Sequence, residues 1–298
     1  MEVPDLSVVV PSVNGWSDLE GALDALAGNA AEVSLEILVP ERCGPPVRER
    51  IGERFPAVRV LPVSSGTTIP EMRAIAFAAA RSDSVAVIED HVIVTPGWAR
   101  ALLEARRRGE AVVGGSVQNV ATERLVDCAA FLCEYSHMLP PLPEGPSMWL
   151  TGNNTVYARD LLVRYGPEAA GRWENDLHDV LRRHGVTLVM RPEIIVGHKK
   201  HYAVAEYVSQ RYLYARSYAA ARFARAGVVK RAMAGAAAIA LPPLLLYRIL
   251  SRVWSSTGRH RGELVRSLPL LGVFVCAWAA GEAMGAWAGD GGAFARVC

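Results

Sequence analysis

The chain has 298 residues, of which 51% are hydrophobic, and it balances 32 Lys and Arg against 30 Asp and Glu. This length accommodates one large domain, or one domain with an appendage. The formal net charge of +2 gives no electrostatic basis for binding nucleic acid, so no nucleic-acid partner is expected. The five cysteines form no CxxC pair and no zinc spacing, which is typical of a reducing compartment. The N-terminus lacks a basic segment ahead of an apolar run, so no signal peptide is expected.

The first third of the chain alternates short apolar strands with helices. Strands are predicted at 6–10, 35–39, 58–62 and 85–88, and helices at 19–26, 47–55, 69–81 and 99–108. This β-α-β order predicts an α/β fold in which a mainly parallel sheet is flanked by helices.

The middle third is less regular. Strands are predicted at 112–117, 156–157, 186–190 and 194–196, and helices at 125–135 and 177–184. Residues 140–146 are rich in Pro and Gly, which predicts a mobile flap instead of regular structure. The last strand leads into His198-Lys199-Lys200-His201.

The buried strand at 85–88 ends in Glu89-Asp90-His91. Acidic groups at the carboxyl end of a parallel strand lie where open α/β sheets bind their ligands. Carboxylate oxygens beside an imidazole nitrogen can hold a divalent cation, and that cation can hold a phosphate. A polar strand end satisfied by solvent is the alternative explanation of the same three residues.

Six groups of residues follow one another along the chain: Ser7–Pro11, Glu36–Glu41, Arg73 with 80–83, Glu89–His91, Thr151–Asn154, and Glu174–Leu177 with Arg182–Gly185. Their order resembles that of the inverting family-2 glycosyltransferases with the GT-A fold, and the resemblance covers roughly residues 6–215. It implies a catalytic domain at 1–201, with Glu89-Asp90-His91 in the place of the family's metal-binding Asp-x-Asp motif.

The resemblance also implies roles for individual residues. It makes Glu174 the candidate general base and Asp176 an acceptor-side residue. Donor-binding roles are implied for Pro11, Glu41, Arg73, Glu89, Asp90, Asn153 and Asn154. Asp90 and His91, with His198 from the last strand, are the candidate ligands of the cation, which is expected to be Mn²⁺ or Mg²⁺. Each role has a simpler alternative: a helix-capping acid at Glu174, turn-forming asparagines at 153 and 154, a surface Arg or His at 73 and 198.

The chain departs from the family pattern at three points. His91 stands in the place of an acid in the metal motif, and imidazole suits Mn²⁺ better than Mg²⁺. A single acid, Glu174, follows Trp173 where the family usually has a Glu-Asp pair. The acceptor-side Q-x-x-R-W motif of processive relatives is missing, because Gln210-Arg211-Tyr212 matches it only loosely.

The C-terminal third predicts contact with a membrane. Residues 202–230 are predicted to be an amphipathic helix with interleaved Tyr and Arg, which suits either a bilayer interface or packing on the catalytic domain. Residues 231–298 are predicted to be a hydrophobic helical region. Ala232–Tyr247 carries no charge, yet Pro242 and Pro243 interrupt it, so a re-entrant or interfacial hairpin bent at the prolines is expected there. A soluble helical cap over the active site is the alternative for this region.

Leu268–Ala288 is long enough to cross a bilayer and contains one charge, Glu282. An ionisable residue at that depth indicates a partner or a packed interior. Gly281, Gly285 and Gly289 lie four residues apart, a spacing typical of helix association, so a homo-oligomer formed through this helix is a possible arrangement. Basic residues around the apolar segments place the catalytic domain on the cytoplasmic side of the cell membrane.

These observations lead to one functional interpretation and two alternatives. The interpretation is an inverting glycosyltransferase that moves a sugar from a UDP- or GDP-type nucleotide donor to a lipid-linked or membrane-proximal acceptor, with a divalent cation; a soluble small molecule or a glycan is the alternative acceptor. A sugar nucleotidyltransferase is the first alternative, although Pro11-Ser12-Val13-Asn14-Gly15 lacks the Gly-rich loop with a Lys that such an enzyme carries. A catalytically silent membrane scaffold that keeps the fold is the second.

Overall fold

The computed structural model describes residues 3–297, which divide into two compact units. The sheet unit runs to Gln118 and resumes over Leu142–Lys199. The helical unit comprises Asn119–Pro141 and the chain from Lys200 onward. Residues 119–141 therefore cluster with the C-terminal helices, although the sequence analysis assigns them to the catalytic domain.

The sheet unit is built on one mixed sheet. Its strands are β1 (Leu6–Val9), β2 (Leu35–Glu41), β3 (Arg59–Pro62), β4 (Ser84–Val87), β5 (Val92–Val94), β6 (Val112–Asn119), β7 (Gly145–Ser147), β8 (Thr155–Ala158) and β9 (Leu188–His198). Their order across the sheet is β3-β2-β1-β4-β8-β6-β9-β5, with β7 also paired to β9. The helices of this unit are α1 (Trp16–Asn29), α2 (Pro45–Arg54), α3 (Ile69–Ala79), α4 (Trp98–Arg107), α6 (Arg159–Tyr165) and α7 (Glu174–Arg183), with α5 (Leu125–Tyr135) belonging to the other unit.

Half of this sheet follows the predicted parallel arrangement. The strands β3, β2, β1 and β4 run parallel, as the alternation of strands and helices requires. Four further strand pairs are antiparallel: β4 with β8, β8 with β6, β9 with β5, and β9 with β7. The predicted α/β class with flanking helices is confirmed, and the sheet is mixed rather than mainly parallel.

The structure differs from the predicted strands in two ways. It contains two strands that were not predicted, β5 and β7, and it joins two predicted strands into one. β5 has three residues, too few to show a period, and β7 is Gly-Pro-Ser, which has no intrinsic preference for a strand. β7 lies inside the predicted flap and forms because its backbone pairs with β9. The segments predicted at 186–190 and 194–196 join into the continuous strand β9.

The helical unit contains α5 and the C-terminal helices. These are α8 (Val204–Phe223), α9 (Val228–Ala237), α10 (Leu241–Ser255) and α11 (Arg261–Ala288). A core of Val126, Ala129 and Ala130 from α5, with Tyr202, Tyr207 and Phe274, holds the unit together. The buried Asp127 accepts hydrogen bonds at 2.8 Å from His201 Nδ1 and from the Tyr202 backbone N–H, which fastens the start of this segment to α5.

The expected bend at Pro242 and Pro243 is not present. A 3-10 turn at Ala238–Ala240 joins α9 to α10, and the two form one helical stretch from Val228 to Ser255. The prolines occupy the first turn of α10, where a missing N–H costs little. Arg231 Nε donates to the Ala286 carbonyl at 2.8 Å, so this stretch runs antiparallel to α11 and the chain reverses at 256–260.

Both long apolar helices are long and apolar enough to cross a membrane, by length and composition. The glycines of α11 pack inside the chain: a Cβ on Gly281 would lie 2.3 Å from the Tyr212 carbonyl oxygen, and one on Gly285 would lie 2.3 Å from that of Arg216. These two glycines therefore bring α11 close to α8 and are not exposed to a second copy. Glu282 has an intrachain partner, because Arg222 Nη1 donates to its carboxylate at 3.3 Å.

Candidate functional site

The buried carboxylate of Asp90 anchors the loop between β1 and α1. Its Oδ2 accepts hydrogen bonds from the backbone N–H groups of Val13 and Asn14, both at 2.8 Å, and its Oδ1 accepts one from Asn14 Nδ2 at 2.7 Å. Burial alone would raise the pKa of Asp90, but the hydrogen bonds from His91 and Asn14 lower it. Asp90 is 1% exposed, so it is fully committed to protein partners. The sequence analysis noted 12–15 as a turn but missed Asn14 as part of the site.

Glu89, His91 and His198 come together around one point. Glu89 and His91 follow β4, and His198 ends β9, where it pairs with Val92 of β5. The Nε2 atoms of the two histidines are 3.1 Å apart, and His91 Nε2 is 3.4 Å from Glu89 Oε2. Their candidate ligand atoms all lie within 4.8 Å of one another. Among the described residues, this is a set that can hold a metal ion.

The donor atoms of this set fit a transition metal such as Mn²⁺. One carboxylate oxygen and two imidazole nitrogens are a softer set than the oxygen ligands that Mg²⁺ prefers. Asp90 Oδ1 lies 3.1 Å from His91 Nδ1, so this carboxylate orients the ring and leaves Nε2 facing the cluster. The sequence analysis made Asp90 a metal ligand; the structure instead brings Glu89 into the set and places Asp90 behind His91.

The electrostatics of the cluster show what a cation would replace. Burial would lower the pKa of His91, but hydrogen bonds to Asp90 and Glu89 raise it to about 10. Burial would raise the pKa of Glu89, but its hydrogen bond to His91 and the nearby Arg73 lower it to about 2. The two carboxylates thus favour the protonated, positively charged form of His91. A cation bound by His91 would have to displace that proton.

Arg73 connects this cluster to the candidate base. Its Nη1 donates to Glu174 Oε2 at 2.8 Å, and its Nη2 lies 3.8 Å from Glu89 Oε1. Arg73 is 6% exposed, and within residues 3–297 its Nε has no hydrogen-bond partner. The pKa of Arg73 is raised: burial acts to lower it, and the charges of Glu174 and Glu89 outweigh that effect. One guanidinium therefore faces two carboxylates that are 85 positions apart in the sequence.

The loop at 151–154 lies directly against Glu174. Glu174 opens α7, and its side chain is 20% exposed. A Cβ on Gly152 would lie only 2.6 Å from Glu174 Cδ, so a glycine is required for this close approach. The hydroxyl of the buried Thr151 also has no hydrogen-bond partner within the described chain. The Gly-containing loop and the candidate base, separate motifs in the sequence, form one surface.

The two asparagines of this loop differ in their surroundings. Asn153 Nδ2 donates to Glu89 Oε2 at 3.2 Å, which places this amide beside the candidate metal set. Asn154 is fully buried: its Nδ2 donates to the carbonyls of Ser116 and Ile194, each at 2.9 Å, and its Oδ1 accepts from Trp98 Nε1 at 2.9 Å. The sequence analysis assigned both to donor binding, but the amide of Asn154 is occupied within the core.

Glu41 is likewise turned into the protein. Its Oε1 accepts hydrogen bonds from the backbone N–H groups of Cys43 and Gly44, and its Oε2 lies 3.0 Å from Arg48 Nε. It is 0% exposed, so the structure does not present it to a nucleotide base, the role expected from the sequence. Pro11 lies just after the carboxyl end of β1 and is buried.

Asp176 lies two residues after the catalytic candidate in α7 and is partly exposed. Its side chain is 38% exposed, and its Oδ1 is 3.6 Å from Arg172 Nη1. Burial raises its pKa, an effect that Arg172 opposes. Behind the site, Tyr157 and His178 form a buried pair with 2.8 Å between the phenol oxygen and Nε2. The sequence analysis missed this pair, because neither residue stands in a motif.

Comparisons with known proteins bear on the family and the fold. Residues 7–127 match the family model of glycosyl transferase family 2. Among solved structures, the chain is similar to the mannosyltransferase PcManGT from Pyrobaculum calidifontis, determined in complex with GDP-Man and Mn²⁺. That likeness has a TM-score of 0.55 and 14% identity, and it covers 95% of this chain and 88% of the other. A search of curated proteins found no match.

The matched segment contains β1, β2 and β4 with Glu89, Asp90 and His91, whereas Asn153, Glu174 and His198 lie outside it. The structural neighbour extends the likeness in fold to nearly the whole chain. Residues 7–127 therefore match glycosyl transferase family 2, and nearly the whole chain shares the GT-A-type fold of the solved mannosyltransferase.

Proposed function

We propose that this enzyme transfers a sugar from a nucleotide diphosphate donor to an acceptor hydroxyl, with inversion at the anomeric carbon and with a divalent cation. The contact of Arg73 with both Glu174, at 2.8 Å, and Glu89, at 3.8 Å, carries the proposal. It supports one shared cleft for the candidate base and the candidate metal set. Transfer needs these two together, because the acceptor must lose a proton while the leaving diphosphate gains charge.

Each side chain has a distinct task in this proposal. Glu174 accepts the proton of the acceptor hydroxyl, whose oxygen attacks the anomeric carbon from the face opposite the diphosphate. Arg73 positions the Glu174 carboxylate, and Asn153 holds Glu89. Glu89, His91 and His198 would hold the cation, which supplies positive charge beside the leaving diphosphate when bound. Asp90 keeps the β1–α1 loop and the His91 ring in place.

A UDP- or GDP-type nucleotide is the proposed donor. The solved mannosyltransferase with GDP-Man makes GDP-mannose the first donor to test, since it shares the fold over most of the chain. Pro11 remains a proposed donor-binding residue beneath the nucleotide, and Asp176 remains a proposed acceptor-side residue. Glu41 is buried and holds the loop at Gly44, so its proposed role toward the nucleotide base is to position that loop and not to contact the base directly.

The acceptor is proposed to be lipid-linked or membrane-proximal. Large apolar side chains along the helical unit are exposed, among them Val228 at 82%, Ile239 at 80% and Tyr247 at 67%. Such a surface is costly in water and favourable in lipid. We place the enzyme at the cell membrane with the sheet unit on the cytoplasmic side, in keeping with the basic residues that flank the apolar helices.

The decisive experiment measures release of nucleoside diphosphate from UDP- and GDP-sugars, with Mn²⁺ and with chelator. We expect turnover that depends on Mn²⁺ and a loss of at least about 100-fold in Glu174→Gln, since a general base contributes about 10²–10⁴. The matched control is Asp179→Asn, which removes an exposed acid from the same helix and is expected to retain wild-type turnover.

Equal turnover in the wild type and in Glu174→Gln would reject Glu174 as the base. Turnover unaffected by chelator would reject the cation. Absence of turnover with every nucleotide sugar, together with no Mn²⁺-dependent binding of UDP or GDP by calorimetry, would favour the catalytically silent scaffold.

A further inference from the structure

An apolar cleft of about 460 Å³ opens beside the candidate base, entirely within the sheet unit. Helix α3, helix α6 and the beginning of α7 form its walls, chiefly through Ala74, Phe77, Ala78, Leu162, Val163 and Leu177. Its volume falls in the range of about 300–1,000 Å³ that small-molecule sites occupy. The β1, β2 and β4 strand ends, where a nucleotide donor is proposed to bind, contribute to it only through Val87 among the described residues.

Three charged side chains line the cleft: Arg73, Glu174 and Arg172. Glu174 is partly exposed there. Tyr157 also lines it, but its hydroxyl is already paired with His178 at 2.8 Å. An occupant therefore meets the Arg73–Glu174 pair and Arg172, and the rest of the walls are mostly apolar.

This distribution argues against a sugar in the cleft. A sugar ring carries hydroxyl groups on every side, and each would lose its hydrogen bonds to water against walls such as Phe77 and Leu162. An occupant with one hydroxyl and an apolar body suits the walls, because the hydroxyl can donate to Glu174. Several wall residues are exposed without a ligand, including Val163 at 59%, and a hydrocarbon would cover them.

We propose that this cleft binds the hydrocarbon segment of a lipid acceptor and presents the acceptor's free hydroxyl to Glu174. The inference rests on the proposed function and names its acceptor class. In the transfer step, the hydroxyl proton passes to Glu174, a bond forms between the acceptor oxygen and the anomeric carbon, and the bond from that carbon to the diphosphate oxygen breaks. The exposed apolar helices of the other unit provide independent support, since they suit an enzyme that works beside lipid.

The test is photolabelling of the full chain in detergent micelles with a sixteen-carbon alcohol that carries a diazirine, followed by peptide mapping. We expect label on 70–78 and 162–177, in addition to label on the exposed helices 228–255 and 261–288. Ala74→Trp fills the cleft and should reduce labelling of the first two segments by at least about tenfold. Ile75→Trp is the matched control: it is exposed on the same helix, lies outside the cleft lining, and should leave that labelling unchanged.

Val163→Arg is a second variant at an exposed position and should also reduce cleft labelling, which guards against misfolding of Ala74→Trp. Label confined to 228–255 and 261–288 in the wild type, or equal cleft labelling in both variants and the control, would overturn the proposal. The labelling needs no nucleotide sugar. A failure of the proposed function shows up separately, as no nucleoside diphosphate release by the wild type with any donor.

Discussion

Adjacent asparagines in the 151–154 loop are expected to have opposite phenotypes. Asn154→Ala removes three hydrogen bonds in a fully buried environment: two donated to the Ser116 and Ile194 carbonyls, and one accepted from Trp98 Nε1. A typical hydrogen bond contributes about 1 kcal/mol, and stranding a buried partner adds about 1–3 kcal/mol. We therefore expect the free energy of unfolding to fall by about 3–5 kcal/mol. Asn153→Ala removes the 3.2 Å bond to the partly exposed Glu89, a loss of about 1 kcal/mol.

Thermal unfolding of the full chain in detergent, read alongside turnover of the folded protein, separates the two roles. At about 2–4 °C for each kcal/mol, Asn154→Ala should lower Tm by roughly 10 °C while folded enzyme keeps its kcat/KM. Asn153→Ala should leave Tm within about 3 °C and reduce turnover through its contact with Glu89. A stable Asn154→Ala with lost turnover would refute this reasoning and return Asn154 to the donor site.

Two further predictions concern the buried His178 and the glycines of α11. Burial, with the charge of Arg73, lowers the pKa of His178 to about 4, so the unfolded chain binds a proton at this residue first as the pH falls, and this group should lower stability by about 3 kcal/mol between pH 6.5 and 4. The wild type should therefore lose about 3 kcal/mol more than His178→Gln across that range, since other groups such as His137 contribute to both curves, and parallel curves would contradict the prediction. Gly285→Ala should lower Tm because its Cβ would lie 2.3 Å from the Arg216 carbonyl oxygen, whereas Gly272→Ala, with no neighbour within 4 Å, should raise it slightly. Equal effects of the two alanines would show that α8 and α11 are not in close contact.

Much of the fold is readable in the sequence because it depends on local patterns. Apolar runs such as Ser84–Val87, alternating with helices such as α3, fix the parallel half of the sheet through the handedness of β-α-β units. β7 has no such pattern, since Gly-Pro-Ser becomes a strand only by pairing with β9, more than 40 positions away. The prolines at 242 and 243 likewise indicate a break, but packing along α11 keeps the helical direction.

The site could be located from the sequence more easily than its roles could be assigned. The order of motifs identifies Glu89-Asp90-His91 and Glu174, but it does not reveal which carboxylate faces the cleft. Asp90 turns inward because the N–H groups of Val13 and Asn14 meet it there, and those contacts join positions 76 and 77 apart. The same limit applies to Asn154, whose three partners come from distant elements.

The division of the chain has a practical consequence for anyone who wants the sheet unit alone. The helical unit takes up 119–141 as well as the C-terminal helices, so the polypeptide passes from one unit to the other at 118, 141 and 199. Truncation after His201 would remove Tyr207 and Phe274 and leave Val126, Ala129 and Ala130 uncovered in the middle of what remains. A water-soluble enzyme fragment would therefore have to replace 119–141 by a short polar linker as well as lose its end.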